Sequence, residues 1–219
     1  MIRPGANVHA WVFDLDNTLY PASATVYRAV EARMTAYIAR ALQLAEDDAA
    51  GLRERYFQEY GATVAGLVER NGLDAHDFLE FVHDVDFDAL SPDQGLNELI
   101  ATLPGRKFVF TNGGATYARR VLERLGLASH FDGVCDIESA GLAPKPSPAA
   151  YRALIEHCAI DPARAVLIED SARNLEPAHA LGFTTALVGA DATAGAYVDI
   201  AAADLKTLLT DWLVVEPAL

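Results

Sequence analysis

The 219-residue chain predicts an α/β fold: a parallel sheet with helices on both faces, interrupted after its first strand by an inserted helical bundle. Three observations lead there. Short runs of strand formers at residues 8–13, 107–110, 165–168 and 184–188 lack the polar alternation of a strand with one wet face, so each is expected to be buried on both sides. From residue 92 onward, segments with apolar residues three and four apart separate these runs, the alternation that accompanies a parallel sheet. Between residues 24 and 84 only the helical period occurs.

The elements follow in order. The first strand ends at Phe13, where Asp14 cuts the apolar run. Ser23 is placed as the cap of a helix with apolar positions Val26, Val30, Met34, Tyr37, Ile38 and Leu42. Helices over 46–60, 62–71 and 74–84 come next, broken at Gly61 and at Asn71-Gly72. Ser91-Pro92 opens a helix to about residue 103, and Pro104-Gly105 leads into the second strand, 107–110. A helix over 115–125 stops at Gly126 and precedes a short third strand around Val134. Helix 147–158, strand 165–168, helix 172–181, strand 184–188 and a last helix near 203–213 complete the chain. The expected division is a core of residues 1–18 and 91–219 with residues 19–90 as an inserted helical domain.

Charge and composition narrow the function. There are 31 Asp plus Glu against 17 Lys plus Arg, a net charge of −14, and 52% of residues are hydrophobic. Nucleic-acid polymers need clustered Lys and Arg to displace counterions, so they are not expected partners. An anionic membrane surface is disfavoured for the same reason. No run approaches the roughly 18 apolar residues of a membrane span, and residues 1–13 do not read as a secretory signal. Cys135 and Cys158 are expected to be free thiols, so the expected location is cytoplasmic. A monomer or small homo-oligomer is anticipated.

In open parallel sheets, ligands bind beyond the carboxyl ends of the strands. Asp14, Asp16 and Thr18 follow the first strand; Thr111, Asn112 and Gly113 follow the second; Glu169 and Asp170 follow the fourth. Lys145, one of three lysines, lies between the third strand and its helix. This set suits phosphoryl transfer. The Asp14 carboxylate can attack phosphorus once a divalent cation, held by Asp14 with Asp170 and Glu169, offsets the repulsion between two anions. Asp16 can protonate the leaving oxygen and then deprotonate water. The Thr111 hydroxyl, the Asn112 and Gly113 amides and the Lys145 ammonium can hold the phosphate oxygens. A calcium loop is a poor alternative, because Leu19 and Thr25 stand where an EF-hand needs Gly and Glu.

Asp14-Leu15-Asp16-Asn17-Thr18, Thr111-Asn112, Lys145-Pro146 and Glu169-Asp170 together resemble the four motifs of the haloacid dehalogenase-like (HAD) superfamily. The resemblance implies a Rossmann-like core with a C1 cap in the insertion. It makes Asp14 a nucleophile that forms an aspartyl-phosphate, Asp16 the acid/base, and Thr111 and Lys145 phosphate ligands, with Leu15, Asn112 and Gly113 beside them. Asp14, the Asp16 carbonyl and Asp170 would bind Mg²⁺, with Glu169 standing where the family often has Asp. Phe13 to Pro21, Tyr60-Gly61-Ala62-Thr63, Phe81-Val82-His83 and Glu169-Asp170-Ser171 through Asn174 are similar to the pyrimidine 5′-nucleotidase family. That likeness implies a nucleoside 5′-monophosphate as the small phosphorylated substrate, with a sugar-phosphate phosphatase or phosphomutase as the alternative.

Other activities are less well matched. A dehalogenase needs no second acid, and Asp16 is present. Phosphonate hydrolysis in this superfamily uses a lysine of the cap, and residues 19–100 contain none. A phospho-acceptor receiver module places its acidic pair before the acceptor Asp, whereas Glu169 and Asp170 come last. A non-catalytic binding protein stays open. Tyr20, Tyr56, Phe57, Tyr60, Thr63 and His83 are candidates for facing the leaving group, although aromatic residues at helical spacing commonly form bundle core.

Overall fold

The computed structural model describes residues 8–21 and 23–214. Its six strands are β1 (Ala10–Phe13), β2 (Arg106–Phe110), β3 (Gly133–Cys135), β4 (Ala165–Glu169), β5 (Thr184–Val188) and β6 (Ile200–Ala202). They form one parallel sheet in the order β3-β2-β1-β4-β5-β6. The helices among the described residues are α1 (Val26–Leu42), α2 (Glu46–Tyr60), α3 (Thr63–Asn71), α4 (Ala75–His83), α5 (Gln94–Thr102), α6 (Ala115–Arg124), α7 (Pro148–Cys158), α8 (Ala172–Ala180) and α9 (Leu205–Val214).

The pleat sends successive side chains to opposite faces of the sheet. Trp11, Phe13, Val109, Val166 and Ile168 pack with Ile100, Val121 and Leu209 from α5, α6 and α9. Ala10, Val12, Phe108, Phe110 and Leu167 pack with Tyr151, Leu154 and Leu175 from α7 and α8. Two apolar layers, one per face, are what the continuous runs in the sequence require. Trp11 also meets Trp212 edge-on at 5.0 Å, and its indole N–H donates to the Pro104 carbonyl at 2.9 Å.

Helices α1 to α4 lie between β1 and α5 in the chain and pack on one another. Their buried side chains, among them Val30, Ile38, Leu67 and Phe78, join the apolar layer of α5, α6 and α9. The expected breaks fall where the backbone turns left-handed, at Gly61 (φ 84°) and Gly72 (φ 65°).

Three local expectations are corrected. Thr25, not Ser23, is the N-cap of α1, and it makes no side-chain capping bond. Helix α5 starts at Gln94 with Asp93 accepting from the Leu96 amide at 3.1 Å, because the Asp93 carboxylate reaches that amide where Ser91-Pro92 lies too early. The expected elements do not include β6: its three partly buried residues, Ile200-Ala201-Ala202, lie at the sheet edge and are mostly alanine, a residue depleted in strands. Cys135 and Cys158 are free thiols. No described helix is long and apolar enough to cross a membrane.

Candidate active site

β1 and β4 are neighbours, with Phe13 opposite Ile168, and the Asp14 amide donates to the Ile168 carbonyl at 2.9 Å. That register sets Asp14 beside Glu169. On the other side of β1, the Thr111 amide donates to Cys135 at 3.0 Å and extends the β2–β3 pairing by one residue. The carboxyl ends of four strands thereby deliver the predicted groups to one cleft.

Lys145 is buried, with three acceptors around its ammonium: Asp14 Oδ1 at 2.5 Å, Glu169 Oε1 at 2.7 Å and the Phe110 carbonyl at 2.9 Å. An ammonium has three N–H donors, and all three are used. Burial opposes the charge, yet Asp14 and Glu169 outweigh it and hold Lys145 above the ordinary lysine range. Burial raises Asp14 well above the usual carboxylate range against the pull of Lys145, with Glu169, Asp170 and Asp16 adding to the rise.

Glu169 is almost wholly enclosed. Its Oε2 accepts from the Ser171 amide at 2.8 Å, and its Oε1 takes the Asn174 amide at 2.8 Å as well as Lys145. Asp170 is exposed at the cleft. Asp14, Glu169 and Asp170 each offer a carboxylate oxygen, and the three atoms lie within 4.8 Å of one another. Three hard oxygens at this spacing fit Mg²⁺. The Asp16 carboxylate stands apart from this trio: its Oδ1 accepts from Tyr117 at 2.7 Å and from Tyr20. Burial raises its pKa, and the two tyrosine hydroxyls counter the rise.

The Thr111 hydroxyl oxygen accepts from the Gly113 amide at 2.9 Å, which leaves its O–H free to donate into the cleft. The Gly113 amide is therefore spent on the turn and is not free for a phosphate. Asn112 is likewise engaged through its side chain. It accepts from the Lys145 amide at 2.8 Å and donates to the carbonyls of Lys145 (3.2 Å) and Gly61 (3.4 Å). Leu15 has a fully buried side chain, so only its backbone is available.

A cavity of about 450 Å³ opens above these groups, within the size range of small-molecule sites. Asp14, Asp16, Thr111, Asn112, Gly113, Lys145, Glu169 and Asp170 all line it. Its other walls are apolar at Val30, Met34, Val64, Phe78 and Leu79, and polar at Tyr27, Glu31, Arg53 and Thr63. Of the leaving-group candidates, Phe57, Thr63 and His83 line the cavity, with Arg173 lying 5.9 Å from the Phe57 ring. Tyr56 and Tyr60 do not line it. They pack edge-on at 5.7 Å inside the helical block, where the Tyr56 hydroxyl donates to Asn71. Tyr20 sits beneath Asp16 rather than in the wall.

Several wall and support residues had no signal strong enough to single them out. Arg53 pairs with Glu31 at 2.8 Å across α1 and α2; its sequence cue was its position one helical turn before Phe57. Tyr117 reaches Asp16 from α6, across 101 residues, and no local pattern announces that contact.

A Rossmann-like sheet with a buried Asp–Lys–Glu cluster at its carboxyl edge, and a helical insertion walling the cleft above it, defines the class. The chain belongs to the haloacid dehalogenase-like hydrolase family, which it matches over residues 8–182. It is 31% identical over 189 residues to Phosphate metabolism protein 8 of Saccharomyces cerevisiae, covering 78% of this chain and 58% of that protein. The chain thus spans little more than half the length of this relative. Among solved structures it resembles a HAD phosphatase from Thermococcus onnurineus, with TM-score 0.62, 20% identity, and coverage of 93% of this chain and 97% of that one. It also resembles the L-2-haloacid dehalogenase from Xanthobacter autotrophicus, with TM-score 0.60, 20% identity, and coverage of 96% and 100%. At these identities the two structures share the fold.

Proposed function

We propose that the chain is a Mg²⁺-dependent phosphomonoester hydrolase that works through an aspartyl-phosphate on Asp14. Its substrate is a small phosphorylated metabolite, with pyrimidine nucleoside 5′-monophosphates the first class to test. The observation that carries this reading is the Lys145 ammonium seated between Asp14 and Glu169, beside a third carboxylate at Asp170. Such a cleft presents a nucleophile to an anion while keeping positive charge within reach of it.

Asp14, Asp170 and Glu169 would hold Mg²⁺, which supplies charge neutralisation between the carboxylates and the phosphate. The Asp14 oxygen not bound to Lys145 attacks phosphorus. The bond from phosphorus to the ester oxygen breaks, its electron pair stays on that oxygen, and Asp16 supplies the proton. Water then attacks the aspartyl-phosphate, Asp16 takes back a proton, and the bond between Asp14 and phosphorus breaks to release phosphate. The free Thr111 O–H donates to an equatorial oxygen, and Lys145, whose three N–H donors are already engaged, stabilises the charge that builds there by its positive charge alone.

Residues 19–90 act in this proposal as a cap whose walls select the leaving group. The apolar side chains at Val30, Met34, Val64 and Phe78 and the Glu31–Arg53 pair suit a group with an apolar face and hydrogen-bonding edges. Asp16 favours a phosphatase over a dehalogenase, because an alkoxide needs a proton to leave and a halide does not. The test is phosphate release from p-nitrophenyl phosphate by the pure protein with and without Mg²⁺. Metal-dependent turnover is expected, and Asp14→Asn should reduce it at least 100-fold, of the order seen when a nucleophile is removed. Turnover by Asp14→Asn near the wild-type rate would overturn the nucleophile assignment. A panel of nucleoside and sugar phosphates ranked by kcat/KM then fixes the substrate class.

A further inference from the structure

The second carboxylate of the cleft is held from behind by two tyrosines. Tyr20, in the segment after β1, and Tyr117, in the first turn of α6, both donate to the same oxygen, Oδ1 of Asp16. Their own hydroxyl oxygens lie 3.1 Å apart. Both rings are buried. Tyr117 cannot swing away: His83 stacks on its ring at 4.3 Å with 16° between the planes, and Phe87 tilts against it at 5.9 Å. His83 comes from α4 of the helical insertion, so both the insertion and the sheet domain brace the same phenol.

A carboxyl group otherwise turns easily about its last torsion, which is broad and roughly two-fold. An oxygen that accepts two O–H donors has little room for a proton of its own. We propose that Tyr20 and Tyr117 are positioning residues that lock the Asp16 carboxyl and thereby assign Oδ2 as the atom that gives and takes the proton. The proposal rests on Asp16 being the acid/base of the phosphatase described above.

As the ester bond to phosphorus breaks, its electron pair stays on the leaving oxygen, and the proton on Oδ2 moves to that oxygen. Asp16 is left as a carboxylate, and the two hydroxyls on Oδ1 stabilise the new charge. In hydrolysis, the proton of the attacking water goes to Oδ2 and restores the acid. Without the tyrosines the proton would be shared between both oxygens, and a fraction of the molecules would present the wrong one.

The experiment uses the full chain with Mg²⁺ and a series of aryl phosphates from p-nitrophenyl to phenyl phosphate, whose leaving oxygens need a proton increasingly. Tyr20→Phe and Tyr117→Phe keep the rings and remove only the hydroxyls. Each should lose least on p-nitrophenyl phosphate and about tenfold more on phenyl phosphate, within the range of general-acid effects. The double variant should approach Asp16→Asn in the steepness of this dependence. Equal losses across the series, or no loss in either variant, would overturn the positioning role, since a general packing defect does not follow leaving-group basicity. If one variant does not fold, the other carries the same comparison. Asp16→Asn separates the two levels: a flat profile in that variant sinks the acid/base reading itself, whereas a steep one beside flat tyrosine variants sinks only the assignment made here.

Discussion

Glu169 shows how one side chain carries more of the site than its motif suggests. It stands beside Asp170 in an acidic pair, and sequence places both as metal ligands. In the folded chain its two oxygens are already bound to Lys145, Asn174 and the Ser171 amide. It thereby acts as the counter-charge that makes a buried ammonium tolerable. Removing one partner of a buried ion pair costs about 3–5 kcal/mol, because the other charge is stranded. Glu169→Gln is expected to lower stability by about that amount, read from the urea midpoint, and to reduce kcat at least tenfold by leaving Asp14 as the sole carboxylate paired with Lys145. A midpoint unchanged from wild type would show that Asp14 and the Phe110 carbonyl suffice to hold the lysine. Asp14, Thr111 and Lys145 were legible in the chain because each follows a strand end, where topology alone brings them together. The work of Glu169 was not, because Asn174 sits across a turn and Lys145 lies 24 residues away. Tyr56 and Tyr60 stay between two readings in the sequence for the opposite reason, since aromatic residues one turn apart carry the same pattern whether they face a ligand or a bundle interior.

At the scale of elements, the turn between α2 and α3 joins the helical insertion to the loop that carries Lys145. Gly61 sits there at φ 84°, and a Cβ on it would come within 2.6 Å of the Lys145 carbonyl and 3.2 Å of Pro146. Its own carbonyl accepts from Asn112, which also grips both backbone groups of Lys145. The sequence marked Gly61 as a helix break and nothing more; that it is also a point of contact emerges only when the insertion folds back on the sheet. Gly61→Ala should therefore do more than strain the backbone. A left-handed conformation costs a residue with a Cβ about 1–2 kcal/mol, and the clash must in addition push the Lys145 loop or the α2–α3 turn aside. Gly72 supplies the comparison, with φ 65° and nothing within 4 Å of an added Cβ. Both alanine variants should lower the melting temperature, Gly61→Ala by more because of the added clash, and only Gly61→Ala should cut kcat/KM, by about tenfold or more. Equal kinetics in the two variants would mean that the turn merely covers the loop. The other elements were legible in proportion to their burial. Central strands read clearly from apolar runs, whereas the edge strand β6 is short and alanine-rich and the start of α5 depends on the local Asp93 bond, which composition does not encode.

At the scale of the whole molecule, the net charge of −14 meets a cleft that gathers carboxylates. Burial raises Asp14 well above the usual range. Desolvation within the cleft, then the Glu169 charge, push Asp170 up to about 7, a shift its exposure to solvent tempers. A carboxyl raised on folding gives stability that is fully present below its unfolded value and is lost as pH rises through its folded value. The metal-free protein should therefore lose stability between about pH 4 and pH 7 from Asp170, with Asp14 acting in the same direction. A divalent cation takes the deprotonated form, so it must displace protons at the acid end of this window and none at the alkaline end. Mg²⁺ in hundredfold excess over its dissociation constant stabilises a native state by about 2.7 kcal/mol. The gain in melting temperature from a fixed Mg²⁺ concentration is expected to be larger at pH 8 than at pH 5.5. The overall negative charge makes a control essential, because any acidic surface attracts divalent ions. The double variant Asp14→Asn with Asp170→Asn removes two of 31 acidic residues and leaves that diffuse attraction almost unchanged. If the pH-dependent gain vanishes in the double variant, it belongs to the cleft. If it persists, the cation is held by the surface at large, and the carboxylate trio is not the metal site.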